Sequence, residues 1–186
     1  MLINIGSNSH KMKKFGAAIM AIAVVLIIIG GLFVFNSYVS NSNKTATVDM
    51  EVADLPVMNA SAVYITFSAF ALHGNNNTGW KNYSLPHGNE TVNILGLTAS
   101  NASLLTSVKL TAQTYTMFRL YITNVTVVIA GVAINFTLAS SFGFLNHPVT
   151  LTAGSTSTIV FEFNLTQDLN LSSHIFTPNL GIEVIG

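Results

Sequence analysis

Ten asparagines stand in the pattern N-x-[ST]: Asn43, Asn59, Asn76, Asn82, Asn89, Asn101, Asn124, Asn135, Asn164 and Asn170. In that pattern the asparagine amide is the acceptor for an N-linked glycan, and the hydroxyl two positions on is part of what the transferase reads. One such triplet arises by chance in a chain rich in Asn, Ser and Thr. Ten of them point to heavy glycosylation, and hence to an exported protein. A glycan needs a solvent-facing asparagine, so each site also constrains strand register.

Other chemistry is sparsely provided for. His73, His87, His147 and His174 show no metal-ligand spacing, and H-E-x-x-H is absent. There is no G-x-S-x-G, and Gly74–Gly79 lacks the lysine and the strand–helix setting of a phosphate loop. Glycosidases need paired carboxylates across a cleft, and no pair is signalled. Asp49, Glu51 and Asp54 have oxygen ligands for Ca²⁺, but on an alternating strand they read first as a solvated face. Arg119 is the one charge inside a hydrophobic strand, and Glu162 or Glu183 is its expected partner. Trp80 and Tyr83 have the ring types of a sugar-stacking platform, or of a loop's own packing anchor. With no cysteine there is neither disulfide nor thiol chemistry. These residues predict no enzyme, no metal and no cofactor beyond covalent N-glycans.

What must position these residues begins with Phe15–Phe35, twenty-one residues without a polar side chain. As a helix they span roughly 32 Å, the thickness of a bilayer's hydrocarbon core. Lys11, Lys13 and Lys14 precede the segment and no Lys or Arg follows until Lys44, which keeps the N-terminus cytoplasmic and sends the rest outside. Three fates remain open. The segment is a retained transmembrane anchor, a long signal peptide cut near Ser40–Ser42, or a prepilin-type signal cut after Gly16 in Lys13-Lys14-Phe15-Gly16. The expected organisation is a cytoplasmic n-region at 1–14, the hydrophobic helix at 15–35, a linker at 36–45 and an extracellular domain at 46–186. Past residue 36 four basic residues face seven acidic ones, a net of −3. Without a basic patch, nucleic acid is not a partner.

The rest of the chain reads as short strands. Ala46–Val57 alternates, with Val48, Met50 and Val52 on one face, and stops at Asp54-Leu55-Pro56. Ala62–His73 is apolar on both faces, so it is predicted to be central. Gly74–Gly88 reads as a long loop holding Trp80, and Thr91–Leu97 as a short strand. Ser100–Leu110 reads as a helical turn and then a strand edge. Thr114–Leu138 reads as a hairpin turning at Ala130-Gly131. Its first arm changes phase: Phe118, Leu120 and Ile122 are apolar at even positions, Val125, Val127 and Ile129 at odd ones. A bulge or sheet-switching corner near Thr123-Asn124 is expected. Pro148–Thr166 reads as a second hairpin turning at Ala153-Gly154, Asp168–Thr177 as a loop and Asn179–Ile185 as a last strand. The predicted fold is all-β: an antiparallel, Ig-like or jelly-roll-like sandwich of about eight strands after one N-terminal hydrophobic helix.

Val48–Pro56, then Ala62–Phe67 running to His73, then Thr114-Tyr115-Thr116-Met117-Phe118-Arg119-Leu120 resemble a domain-of-unknown-function family of exported prokaryotic β-sandwiches. That family shows a strand, a D-x-P break, a V-x-V-T strand and a T-Y-T-x-x-R-L segment. The resemblance covers roughly residues 46–185 and implies a fold but no reaction. Together with the hydrophobic segment, the absence of cysteine and the dense sequons, the chain also resembles the glycosylated thread-filament subunits of thermoacidophilic archaea. That resemblance implies a head-to-tail homopolymer linked by donor-strand complementation, with Val48, Met50 and Val52 as the donated side chains. The alternative is a monomeric, membrane-anchored, adhesin-like surface protein that binds glycans or neighbouring cells.

Overall fold

Alternation of apolar and polar residues, broken by Gly, Pro and Asn, makes strands along nearly the whole of what the structure describes. It is a computed structural model that describes residues 44–55, 59–75 and 79–186. The n-region, Phe15–Phe35, most of the linker, Asn43 and Asn76 lie outside those residues. The strands are β1 (Thr45–Leu55), β2 (Ala62–Gly74), β3 (Trp80–Ser84), β4 (Glu90–Asn93), β5 (Ser103–Thr111), β6 (Thr114–Ile129), β7 (Val132–Leu138), β8 (Phe142–Thr150), β9 (Thr156–Asn164), β10 (Leu169–Asn170), β11 (Ile175–Phe176) and β12 (Leu180–Ile185). A 3-10 turn at Ala99–Asn101 and the single-turn helix α1 (Leu165–Asp168) are the only helical pieces among the described residues.

Two sheets face each other. The smaller has the order β12-β9-β1-β5; the larger runs β10-β11-β7-β6-β2-β3, with β4 beside β2 and β8 beside β6. The layers meet through Phe118 and Phe161, whose ring centroids are 6.2 Å apart, and through Phe67 and Phe163 at 6.0 Å. Phe118, Leu120, Ile122, Phe136, Phe161 and Phe163 share one buried core, as the alternation predicts. Lys44–Gly186 is one compact unit.

The phase change in β6 is a real irregularity. Ile122 pairs with Phe67 and Asn124 with Thr66, so Thr123 is left without a partner in the ladder. One extra residue restores the inward face to Val125 and Val127. The same point is a change of neighbour: β8 pairs β6 up to Tyr121, and β7 pairs it from Val125 onward. The β6–β7 hairpin closes at Ile129 and Val132 around Ala130 (φ 49°) and Gly131 (φ 79°). Positive φ at both central residues is the demand of a type I′ turn.

Four expectations are corrected. The sandwich is not purely antiparallel: β1 runs parallel to β9 and β11 parallel to β7. Period-two patterning says which side chains go inside, not which strand lies alongside or in what direction. Among the described residues twelve strands replace eight, because two-residue pairings such as β10 with β11 leave too little pattern to see. Pro148–Thr166 is not a hairpin. Its arms belong to different sheets, and the turn between them is tied to the start of β1 by Gly154 N–H donating to Thr45 O at 2.8 Å and Thr47 N–H to Ser155 O at 2.9 Å. Trp80 is not in a loop but opens β3, which pairs with the end of β2.

β1 itself is interior. It lies between β5 and β9, and Val48, Met50 and Val52 are each 0% exposed. The candidate donor strand therefore fills a slot in its own sheet.

Candidate functional site

The outer face of the large sheet carries an aromatic cluster around Arg119. The period-two rule places it there. Phe118 and Leu120 face the core, so Arg119 and Tyr121 face outward. Strand pairing then lines up three outward rows: Trp80, His73, Met117 and Asn146; Asn82, Ala71, Arg119 and Phe144; Ser84, Ala69, Tyr121 and Phe142. The β2 members of the last two rows are alanines. They leave room for larger neighbours to meet above them.

They do meet. The Arg119 guanidinium carbon lies 3.9 Å from the Trp80 ring centroid and 4.8 Å from that of Phe142. Trp80 touches His73 edge-on at 5.6 Å and Phe144 at 6.3 Å; Tyr121 touches Phe142 at 5.8 Å. Phe144 is 46% exposed. A cation between two aromatic faces gains from both ring quadrupoles. Arg119 Nε and His73 Nδ1 are buried and hydrogen-bond to nothing among the described residues.

The predicted partners of Arg119 are elsewhere. Phe118 and Phe161 touch across the core, so Arg119 and Glu162, each one residue on, point out of opposite sheets. Glu183 pairs with Val160 on that same distant sheet. Trp80 and Tyr83 do not form one platform either. Tyr83 stacks on the core residue Phe70 at 5.0 Å and 7°, on the inner side of β3. Phe142 and Phe144 were not singled out from sequence. Their signal is the pattern Phe142-Gly143-Phe144, in which alternation gives both rings one face.

Seven of the eight described sequon asparagines are exposed: Asn59, Asn82, Asn89, Asn101, Asn124, Asn135 and Asn170. Asn164 is half-buried where β9 meets α1. Some side chains are engaged locally. Asn124 Nδ2 donates to Thr126 Oγ1 at 3.1 Å, and Thr126 Oγ1 donates to Asn135 Oδ1 at 2.8 Å. Asn170 Oδ1 accepts from the backbone N–H groups of Ser172 and Ser173.

The acidic trio is dispersed. Asp49 and Glu51 lie half-buried on the outer side of β1, whereas Asp54 is buried and accepts from Leu165 N–H at 3.3 Å. Among the described residues no three His, Asp or Glu side chains come together. Asp168 is also buried. Its Oδ2 accepts from Asn164 N–H at 3.2 Å, and its Oδ1 accepts from Asn179 N–H and Nδ2–H at 3.3 and 2.9 Å. Burial pushes its carboxyl above the ordinary aspartate range, against the pull of these bonds. The folded state thus holds this proton more tightly than the unfolded chain. Its contribution to stability is complete below the ordinary value of 3.8 and is lost as pH rises through the raised one. Glu51 has the same sign, from burial and then from Asp49. The urea midpoint should therefore fall with rising pH across that window. Asp168→Asn should lower the midpoint throughout and flatten the fall; a slope unchanged in the variant would assign the effect elsewhere.

The fold and this surface define a mixed two-sheet β-sandwich with an aromatic outer face. The chain belongs to the DUF4382 family, described as a domain of unknown function, whose model matches residues 45–178. That agrees with the domain-of-unknown-function resemblance and with its span. No curated protein matches the chain. Among solved structures, one from Bacteroides eggerthii described as a "putative cell adhesion protein" is 14% identical, with a TM-score of 0.32 over 75% of this chain and 54% of that one. This chain spans about half of that protein, and a likeness at this level carries no functional argument. None of these matches supports the thread-filament resemblance.

Proposed function

We propose that the chain is a membrane-tethered, adhesin-like surface module that holds glycans, or the glycan coat of a neighbouring cell, against the outer face of its large sheet. The observation that carries this reading is the cluster of Trp80, Arg119, Phe142 and Phe144. Aromatic faces stack on the C–H faces of sugar rings, and a guanidinium offers paired donors to vicinal hydroxyls or to a carboxylate. Aromatic residues and arginine are also the side chains that most often dominate binding energy at contact surfaces. Phe15–Phe35, with lysines only on its N-terminal side, supports tethering and export. The sequons support an extracellular setting.

The interior position of β1 favours a closed monomer over strand donation. A filament built by donation needs β1 to leave the slot between β5 and β9 and to place Val48, Met50 and Val52 in a neighbour. The test is binding of the full chain, displayed on cells, to immobilised glycans. Phe144→Ala and Arg119→Ala should each weaken binding about tenfold or more. Binding that ignores both substitutions overturns the site. Regular fibres of the secreted protein, seen by electron microscopy, overturn the monomer.

A further inference from the structure

Trp80, Asn82 and Ser84 alternate along β3, so all three project from the outer face of the sheet. The pairing of Trp80 with His73, Asn82 with Ala71 and Ser84 with Ala69 fixes that assignment. The spacing along a strand is about 3.3 Å per residue, so the Cα atoms of Trp80 and Asn82 lie roughly 6.6 Å apart, about the width of one sugar ring. Of the ten sequons only Asn82 has a Trp, Tyr or Phe two positions before it.

We infer that Asn82 is an N-glycosylation site built to hold its own glycan, with the first sugar packed on the indole of Trp80. Four features of the surface fit this role. Asn82 is exposed, and its side chain makes no hydrogen bond among the described residues. Its cross-strand neighbour is Ala71, whose short side chain does not rise beside it. β3 ends its sheet, and among the described residues no strand pairs with its far backbone edge. The Arg119 guanidinium, 3.9 Å from the ring centroid, lies over the indole and fixes the position of the ring. A ring already fixed costs less entropy to pack against. The modification joins Asn82 Nδ2 to C1 of a sugar supplied as a lipid-phosphate-linked oligosaccharide. The N–C bond forms as the C1–O bond to phosphate breaks. The amide proton passes to a base, and the lipid phosphate leaves with the bonding electrons. The inference does not rest on binding of a foreign glycan, and its test uses no such ligand; with Trp80 taken up by its own glycan, the exposed Phe144 ring is the face left for a foreign one.

The full chain is produced in a host that N-glycosylates exported proteins and in one that does not. Mass spectrometry should find Asn82 occupied in the first. There Asn82→Gln should lower the melting temperature by about 2–4 °C, and it should leave the unglycosylated protein unchanged. In a Trp80→Ala background the same substitution should have no effect, and Trp80→Tyr should restore it. Sugar C–H protons at Asn82 should also be shifted upfield by the indole ring in the otherwise unmutated protein, a readout that needs no variant to fold. An unoccupied Asn82, unshifted sugar protons, or an equal loss in the Trp80→Ala background overturns the inference.

Discussion

Met50→Asp leaves no folded domain. Met50 lies between Thr106 of β5 and Ile159 of β9 and is fully buried. Replacing it removes a large apolar side chain from the core, which alone costs about 2–5 kcal/mol. The new carboxylate must then be buried without a partner or kept protonated, at several kcal/mol more. Domains of ordinary stability have about 5–15 kcal/mol in all. Protease resistance of Lys44–Gly186 should vanish in the full chain carrying Met50→Asp or Val48→Asp, while Met50→Leu keeps it. If the aspartate variants are instead exported, folded and merely unable to polymerise, β1 serves a neighbour and the closed monomer is wrong.

Phe161→Ala should cost about 3–5 kcal/mol and lower the melting temperature on the order of 10 °C. The Phe161 ring is fully buried and packs edge-on against Phe118 from the opposite sheet. It also lies beside Val52 on one flank and Ile182 on the other, so its loss opens a cavity where three strands and both layers meet. Phe144→Ala, on the outer face, is the control. Phe144 is substantially exposed, so its removal should change stability far less. Equal losses from the two substitutions would show that the interlayer contact is not what holds the sandwich.

The sequence was most readable where local rules act alone. The inward faces of β6 and β9 follow from alternation, and the break at Thr123 follows from a change in its phase. The turn at Ala130-Gly131 follows from backbone chemistry. Neighbour relations were not readable. Nothing in Thr45–Leu55 says that it will lie parallel to a strand more than a hundred residues later, because parallel and antiparallel partners accept the same side-chain pattern. The aromatic surface was half legible for the same reason. Trp80 and Arg119 stood out by type, but Arg119 was matched with acids by charge. The pairings that place Phe144 and Trp80 beside it are set by strand order. The sequons gave their own positions, and the Trp80–Asn82 pairing needed only the knowledge that Trp80–Ser84 is extended rather than looped.

The interior position of β1 bears on the order of folding. This first strand of the described residues is flanked by β5, about sixty residues later, and by β9, more than a hundred later. Contacts so distant along the chain form slowly, since the intervening loop must close before they stabilise anything. The small sheet cannot be completed until β9 and β12 have been made. Until then one edge of β1 is without the strand that fills it. The topology thus makes the small sheet, and with it the contact between the two layers, the last part of the domain to close.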